Sequence, residues 1–320
     1  MNYKIKKISG DASFREFYRV KKNNKKSIII LARKEKFKNL IVYCVVNNIL
    51  NKHGILSPKL IKNYYQDNMI EITDLGDKSF YDYIKNKKNK LLDYKKLIEV
   101  ILKLQKIKPK KIYYFGKSKI KFIKYSLSEL HKEADLFFDW YLKSTIKNKN
   151  LKKIKEVLKK ELNNIYNKLY FKNNYFTHRD FHASNIMRNN NKLGVIDSQD
   201  AIIGNPLYDV ASLIDDVRIK LPKNLQDNLF KYYILKSKFK SKEELNLKND
   251  FDILSVQRNL KILGIFARLY KRDQKPNYLK YLPYTWSIIE KRMKNPIFHK
   301  LNILFKKYLP LKKLKGLRKI

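Results

Sequence analysis

Apolar and polar positions alternate along the first quarter of the chain and then give way to a helical spacing. Tyr3–Ile8, Phe14–Val20 and Ser27–Ala32 read as strands; Ser9-Gly10-Asp11-Ala12-Ser13 joins the first two, and the Lys-Lys-Asn-Asn-Lys-Lys run 21–26 turns into the third. Residues 37–53 read as a helix. Leu40, Ile41, Cys44, Val45, Asn48 and Ile49 recur at i, i+3 and i+4, His53-Gly54 closes the segment, and Pro58 follows it. Lys59–Tyr64 and Met69–Thr73 are further strands, joined at Gln66-Asp67-Asn68. Five strands and one helix predict a small lobe over 1–76. It ends at Asp74-Leu75-Gly76-Asp77, a hinge or a plain turn. From Ser79 onward the period is helical, around Ser79–Lys85, Asp93–Lys106, Ser126–Lys143 and Leu151–Tyr170, then near 206–219, 224–237, 250–272 and 284–292. In Leu151–Tyr170 a stripe of Leu151, Ile154, Val157, Leu158, Leu162, Ile165 and Leu169 reads as core. The class is therefore α+β: a small β-rich lobe, 1–76, and a larger helical lobe, 77–320. The tail 305–320, basic with interleaved leucines, reads as an amphipathic surface helix that touches membrane or as a frayed terminal helix. No internal repeat is seen.

The helical part is interrupted once, at 178–200. His178-Arg179-Asp180 is followed by Asn185 and, twelve positions beyond that, by Asp197. The arms Ile186-Met187 and Leu193–Ile196 enclose Asn189-Asn190-Asn191, which predicts a hairpin with Asn185 and Asp197 at its open end. Two oxygen ligands meeting there suit a hard cation such as Mg²⁺, which takes one or two carboxylates plus water and substrate phosphates. Asp180, just upstream, is free to accept a proton from an incoming hydroxyl. Base, metal amide and metal carboxylate in this order match the phosphoryl-transfer parts of a protein-kinase-like site. The alternative is a polar loop and hairpin without chemistry. His178 and His182 are read as supports of this loop; His182 either orients it or is simply a satisfied loop histidine. Upstream, the small-residue loop 9–13 could lay backbone N–H groups over phosphates, with Ser13 adding a hydroxyl and Arg15 a charge; an ordinary hairpin is the other reading. Backbone groups at Asp74 and Gly76 could meet an adenine edge. Asp209 falls where a helix begins, so it could cap that helix or brace the catalytic loop.

Composition narrows the setting. A chain of 320 residues that is 44% hydrophobic has ample material for a core, and 13% aromatics exclude a disordered chain. The single Cys44 excludes an internal disulfide and fits a reducing compartment. No signal peptide and no run long enough to span a bilayer is seen, so a soluble cytoplasmic protein is expected; a monomer is a separate expectation that these absences do not supply. The net charge is +44, enough to bind nucleic acid nonspecifically. Lysine, however, is spread along the whole chain amid abundant Asn, Ile and Tyr. That is the mark of compositional drift in an AT-rich genome rather than of a dedicated nucleic-acid surface, and no specific nucleic-acid partner is expected.

His-x-Asp-x-x-x-x-Asn, Ile196-Asp197 and the Gly204 to Asp209-Val210-Ala211 segment resemble the aminoglycoside phosphotransferase and choline kinase superfamily, which shares the two-lobed protein-kinase-like fold. Longer blocks look like the bacterial kinases that phosphorylate the anomeric hydroxyl of N-acetylmuramate and N-acetylglucosamine. They are Gly10–Arg15, Asp74-Leu75-Gly76, Glu133–Phe137 with Trp140, Ile196–Ala201, and Gln257–Leu269 with Arg272-Asp273 and Lys275-Pro276. The resemblance runs from about residue 9 to 283. It implies ATP and Mg²⁺, a small amino sugar as acceptor, and a place in peptidoglycan recycling. Asp180 takes the catalytic-base position, Asn185 and Asp197 the metal positions, and Ser13 and Arg15 the phosphate-loop position. Glu133, Asp200 and Arg258 are the polar residues of these blocks that could face the sugar, with Glu133 and Arg258 as structural ion pairs the alternative. Other acceptors (an aminoglycoside, choline or another sugar) and a non-catalytic basic binding module remain as competing readings. Two departures stand out. Kinases usually place a lysine at the end of the third strand, paired with a helix glutamate; here Ile30-Leu31-Ala32 occupies that end, Arg33 and Lys34 come just after, and 37–53 contains no glutamate. Ser198 stands where the family tends to have an aromatic, which predicts looser packing under the metal loop.

Overall fold

A computed structural model describes residues 3–8, 15–23, 25–33, 38–108, 110, 112–116, 118–146, 150–189 and 192–309. Two compact units emerge, one of residues 1–123 with 175–203, the other of 124–174 with 204–320.

The first unit opens with strands β1 (Tyr3–Ile8), β2 (Glu16–Lys22) and β3 (Lys25–Leu31), helix α1 (Lys38–Lys52), and strands β4 (Leu60–Tyr64) and β5 (Met69–Thr73). They form an antiparallel five-stranded sheet in the order β1-β2-β3-β5-β4. Alternation dictates which side is buried: along β5, Ile70 and Ile72 point inward while Met69, Glu71 and Thr73 do not. Ile70 and Ile72 pack with Ile30, Ala32 and the Leu40, Tyr43 and Cys44 face of α1. Fully burying such side chains contributes about 1.5–3 kcal/mol each. The unit continues with α2 (Phe80–Ile84), α3 (Leu91–Lys106), the pair β6 (Tyr113–Phe115) and β7 (Ser118–Ile120), then β8 (Tyr175–Thr177), β9 (Ile186–Asn189), β10 (Lys192–Val195) and β11 (Ile202–Gly204). The three-residue strands were not expected, because alternation over three positions is indistinguishable from loop.

The second unit is helical: α4 (Leu127–Leu136), a π-helical turn at Phe137–Leu142, α5 (Lys143–Thr145), α6 (Leu151–Tyr166), α7 (Leu207–Ile214), α8 (Lys223–Lys236), α9 (Glu244–Lys271), α10 (Leu282–Arg292) and α11 (His299–Tyr308). Its axis is α9, buried along most of its length, and a Cβ at Gly264 would collide with the backbone of Leu136 and Phe137. Glycine there allows α9 to lie against the start of the π turn, and that turn interrupts the single helix expected over 126–143. α6 ends at Tyr166 rather than 170, since the Tyr170 and Phe171 amides donate to the Asp250 carboxylate, both at 2.9 Å. α7 ends at Ile214, short of the expected 219, and Asp216 Oδ1 instead accepts the Arg218 amide at 3.0 Å. Arg292 grips Asp215 through two 2.8 Å bonds, which compensates two buried charges. Of the basic tail, α11 accounts for the residues up to Tyr308; 310–320 lie outside the described residues. Among the described residues, no helix is long and apolar enough to cross a membrane.

Candidate active site

The site rests on the hairpin β9–β10. Ile186 pairs with Val195 and Met187 with Gly194, and the Ile196 amide donates to the Asn185 carbonyl at 3.0 Å. Asn185 and Asp197 therefore flank the open end of the hairpin. Neighbouring segments pin its two sides: the Val195 amide donates to Leu56 O at 2.8 Å, and the Arg188 amide to Lys78 O at 2.9 Å. Gly194 is closely packed, because a Cβ there would meet Leu75 Cδ1 at 2.7 Å and oblige that side-chain tip to shift. Leu75 thereby ties the 74–77 turn to the hairpin.

The loop before the hairpin is folded on itself. The Asp180 carbonyl accepts both the His182 amide and Asn185 Nδ2, each at 3.1 Å. Asn185 Nδ2 also lies 3.4 Å from His182 Nε2. With the amide nitrogen so engaged, Oδ1 is the Asn185 atom available to a cation. His178 is buried, and its Nε2 donates to the Ile196 carbonyl at 3.0 Å, which joins the start of the loop to the residue before Asp197. Arg179 (φ 76°) and Asp197 (φ 61°) both adopt left-handed backbone that side chains disfavour, so the turns on either side of the hairpin are held under strain.

Burial pushes the Asp197 carboxyl above the ordinary carboxylate range; a hydrogen bond from Gln199 and the charge of Arg15 pull it down, while Asp180 and Asp200 push it up. A partly buried carboxylate whose charge is disfavoured chiefly by desolvation, and further by two neighbouring acids, is a group that a divalent cation would stabilise. Among the described residues no group of three His, Cys, Asp or Glu side chains could hold a metal. One carboxylate and one amide oxygen instead fit Mg²⁺, which completes its shell with water and phosphate oxygens.

Gln199, which the motif reading passed over, organises this corner. Its Nε2 donates to Asp197 Oδ1 at 2.8 Å and lies 3.3 Å from Asp200 Oδ2, while its Oε1 accepts Arg15 Nη1 at 3.1 Å. Its place between two acids was the available signal. Ser198 does not loosen the loop. It is fully buried, and its Oγ donates to Asn47 Oδ1 of α1 at 2.7 Å, so a small polar side chain locks the 197–200 loop to the helix. Ser13 lies outside the described residues. The Asp74 carboxylate is bound by Arg19 at 2.6 and 3.0 Å and accepts the Gly76 amide at 2.8 Å, and the Gly76 carbonyl accepts Arg19 Nη2 at 2.8 Å. The Asp74 side chain thus shapes the 74–77 turn. Arg19 was missed, although it shares strand parity with Arg15.

Glu133, Arg258 and Asp209 belong to the second unit. Glu133 is buried; its oxygens accept Tyr125 Oη at 2.6 Å, Lys261 Nζ at 2.9 Å and Tyr208 Oη at 3.4 Å. Arg258 is buried within α9. Asp209 lies buried in the first turn of α7, but the side-chain cap there belongs to Asn205, whose Oδ1 accepts the Leu207 amide at 2.9 Å. Asn205 Nδ2 also donates to Asp250 at 2.6 Å, which fixes that helix end on α9.

This is the fold of protein-kinase-like small-molecule phosphotransferases. An ADP-bound aminoglycoside phosphotransferase superposes with a TM-score of 0.60 at 15% identity, with 89% of this chain and 92% of that one covered. For the choline kinase of Cryptosporidium parvum the values are 0.63 and 13%, covering 97% and 92%. The chain belongs to the phosphotransferase enzyme family, whose model matches residues 4–244. It is accordingly an enzyme that transfers phosphate to an alcohol group. In sequence it is 25% identical over 290 residues to the N-acetylmuramate/N-acetylglucosamine kinase of Pseudomonas aeruginosa, covering 88% of this chain and 81% of the relative. The Neisseria meningitidis protein of the same name is 23% identical over 282 residues, covering 86% and 81%.

Proposed function

We propose that this chain is an ATP- and Mg²⁺-dependent sugar kinase that phosphorylates the anomeric hydroxyl of N-acetylmuramate or N-acetylglucosamine in the cytoplasm, within peptidoglycan recycling. The observation that carries the reading is the β9–β10 hairpin, which sets Asn185 and Asp197 at one end of a loop containing Asp180. The choice of sugar rests on the relatives, which match most of the chain.

In this reading residues 1–76 form the nucleotide-binding lobe and 77–320 the lobe of catalysis and acceptor binding. The Asp180 carboxylate takes the proton of the sugar hydroxyl as that oxygen bonds to the γ-phosphorus and the bond to ADP breaks. Asn185 Oδ1 and the Asp197 carboxylate hold Mg²⁺, which when bound neutralises charge on the phosphate oxygens. His178 and His182 keep the loop in shape through their bonds to Ile196 and Asn185. Asp200, exposed beside Gln199, is the carboxylate best placed to accept sugar hydroxyls. Glu133 and Arg258 are weaker candidates for the acceptor, since the buried Glu133 already has three partners, Tyr125, Tyr208 and Lys261.

The test is ATP consumption with Mg²⁺ against N-acetylmuramate, N-acetylglucosamine, glucose, choline and kanamycin, with phosphorus NMR of the product. An acid-labile sugar 1-phosphate from the N-acetyl sugars is expected. Turnover confined to choline or kanamycin would overturn the choice of acceptor, and no turnover on any of them would leave the proposed sugar activity without support.

A further inference from the structure

The lysine that kinases carry toward the end of the third strand is missing: β3 has lysine only where it opens, at Lys25 and Lys26, and α1 has no acidic residue. The sheet shows what occupies that place. Glu16 pairs with Leu31, Phe17 with Ile30 and Arg19 with Ile28. Continued by one step, the register sets Arg15 opposite Ala32. Side chains directly opposite on antiparallel strands share a face, and Ala32 belongs to the cluster packed against Tyr43 and Cys44 of α1. Arg15 therefore leaves β2 on the side that faces α1, and a residue as small as alanine on β3 gives it room. Arg15 is 7% exposed, with its guanidinium 6.0 Å from the centre of the Tyr43 ring. Nη1 donates at 3.1 Å to Gln199, which in turn holds the Asp197 carboxylate at 2.8 Å. One turn along α1 from Tyr43, Asn47 receives Ser198 from the same loop.

We propose that Arg15 performs the work of the absent lysine: delivered from β2 instead of β3, and positioned by Tyr43 and Gln199 instead of a helix glutamate, it binds the phosphates of the nucleotide that are not transferred. The proposal rests on the kinase reading. It also explains why α1 needs no carboxylate: a guanidinium with several fixed donors takes its orientation from an aromatic face and a neutral amide, where a flexible ammonium requires a counter-ion.

The experiment measures binding without turnover. ADP and adenosine are each titrated, in Mg²⁺, as competitors of a fluorescent nucleotide on wild type, Arg15→Met and Arg15→Lys. A charge-assisted contact to phosphate predicts that Arg15→Met weakens ADP about 10- to 100-fold while adenosine stays within about twofold. Arg15→Lys should recover part of the loss. Arg15→Gln, which keeps a donor toward Gln199, takes the place of Arg15→Met should that variant not fold. If the neutral variant keeps the wild-type preference for ADP over adenosine, the proposal is overturned while the kinase reading stands. If wild type binds neither ligand, the kinase reading falls and takes this proposal with it.

Discussion

Gly264 sets two physical effects against each other. It lies in the interior of α9, where intrinsic propensity favours alanine over glycine by about 1 kcal/mol, so propensity alone predicts that Gly264→Ala stabilises the protein. Packing predicts the opposite. A Cβ at this position would stand 2.5 Å from Phe137 N and closer still to the Leu136 carbonyl, whereas ordinary contacts begin at 3.4 Å. These are backbone atoms and cannot rotate away, so α9 and the π turn must separate by roughly 1 Å, a shift of the kind that costs up to about 3 kcal/mol in a packed interior. The disturbance would spread to the aromatic cluster beside the turn, where Phe137 and Trp286 lie 6.2 Å apart. Subtracting the propensity gain leaves a net loss of about 2 kcal/mol. Urea denaturation followed by tryptophan fluorescence suits this site, because Trp140 lies in the π turn and Trp286 packs beside it. A lower midpoint at unchanged slope is expected. A midpoint equal to or above wild type would refute the packing argument and show that the turn yields freely.

Asp180→Asn should lower turnover about 10²–10⁴-fold, the usual share of a general base, with nucleotide affinity largely kept. Asp197→Ala should abolish turnover and the Mg²⁺ dependence of ADP binding together, as titration calorimetry would read. Ser198→Ala leaves Asn47 Oδ1 without its buried donor and should lower stability by about 1–3 kcal/mol; an unchanged melting temperature would show that the bond contributes nothing. Asp250→Asn confronts three donors with one oxygen and should destabilise by at least about 1–3 kcal/mol. Burial holds the Asp250 carboxyl above its ordinary 3.8, so its contribution to stability is greatest below that pH and declines as pH rises through the elevated folded value; melting curves across pH should lose this slope in the variant.

What was legible in the chain is what local spacing encodes. β1 and β5 have the expected ends because alternation over five or six residues has few competing readings. The open end of the hairpin was legible for the same reason, since Asn185 and Asp197 flank two short apolar arms. What escaped depends on partners distant in sequence. Nothing near Phe137 announces a π turn, and the helix that packs against its start does so through Gly264, far along the chain. The Arg19–Asp74 pair and the Ser198–Asn47 bond require the sheet and α1 to be assembled first. The polar interior of α9 misled in another way. Asp250, Asp252, Gln257 and Arg258 are buried, although an apolar stripe was the expected sign of burial. Asn205, by contrast, carried an adequate local signal as a cap one residue before Pro206, and attention to Asp209 obscured it.

The strained backbone at Arg179 and Asp197 indicates how the site keeps its geometry. Left-handed positions outside glycine cost on the order of 1–3 kcal/mol each and persist only where surrounding bonds over-determine them. Here the restraints are identifiable. His178 is bonded to Ile196, Ile196 to Asn185 and Asn185 to Asp180, so a short circuit of bonds encloses Arg179 and fixes the residue just before Asp197. Gln199 and Ser198 then bind the far side of Asp197 to Arg15 and Asn47. The Asp197 carboxylate is thus aimed by the strand pairing on one side and by α1 and Arg15 on the other. Changes at Ser198 or Gln199, which need not touch any ligand, should consequently act on Asp197 through its orientation.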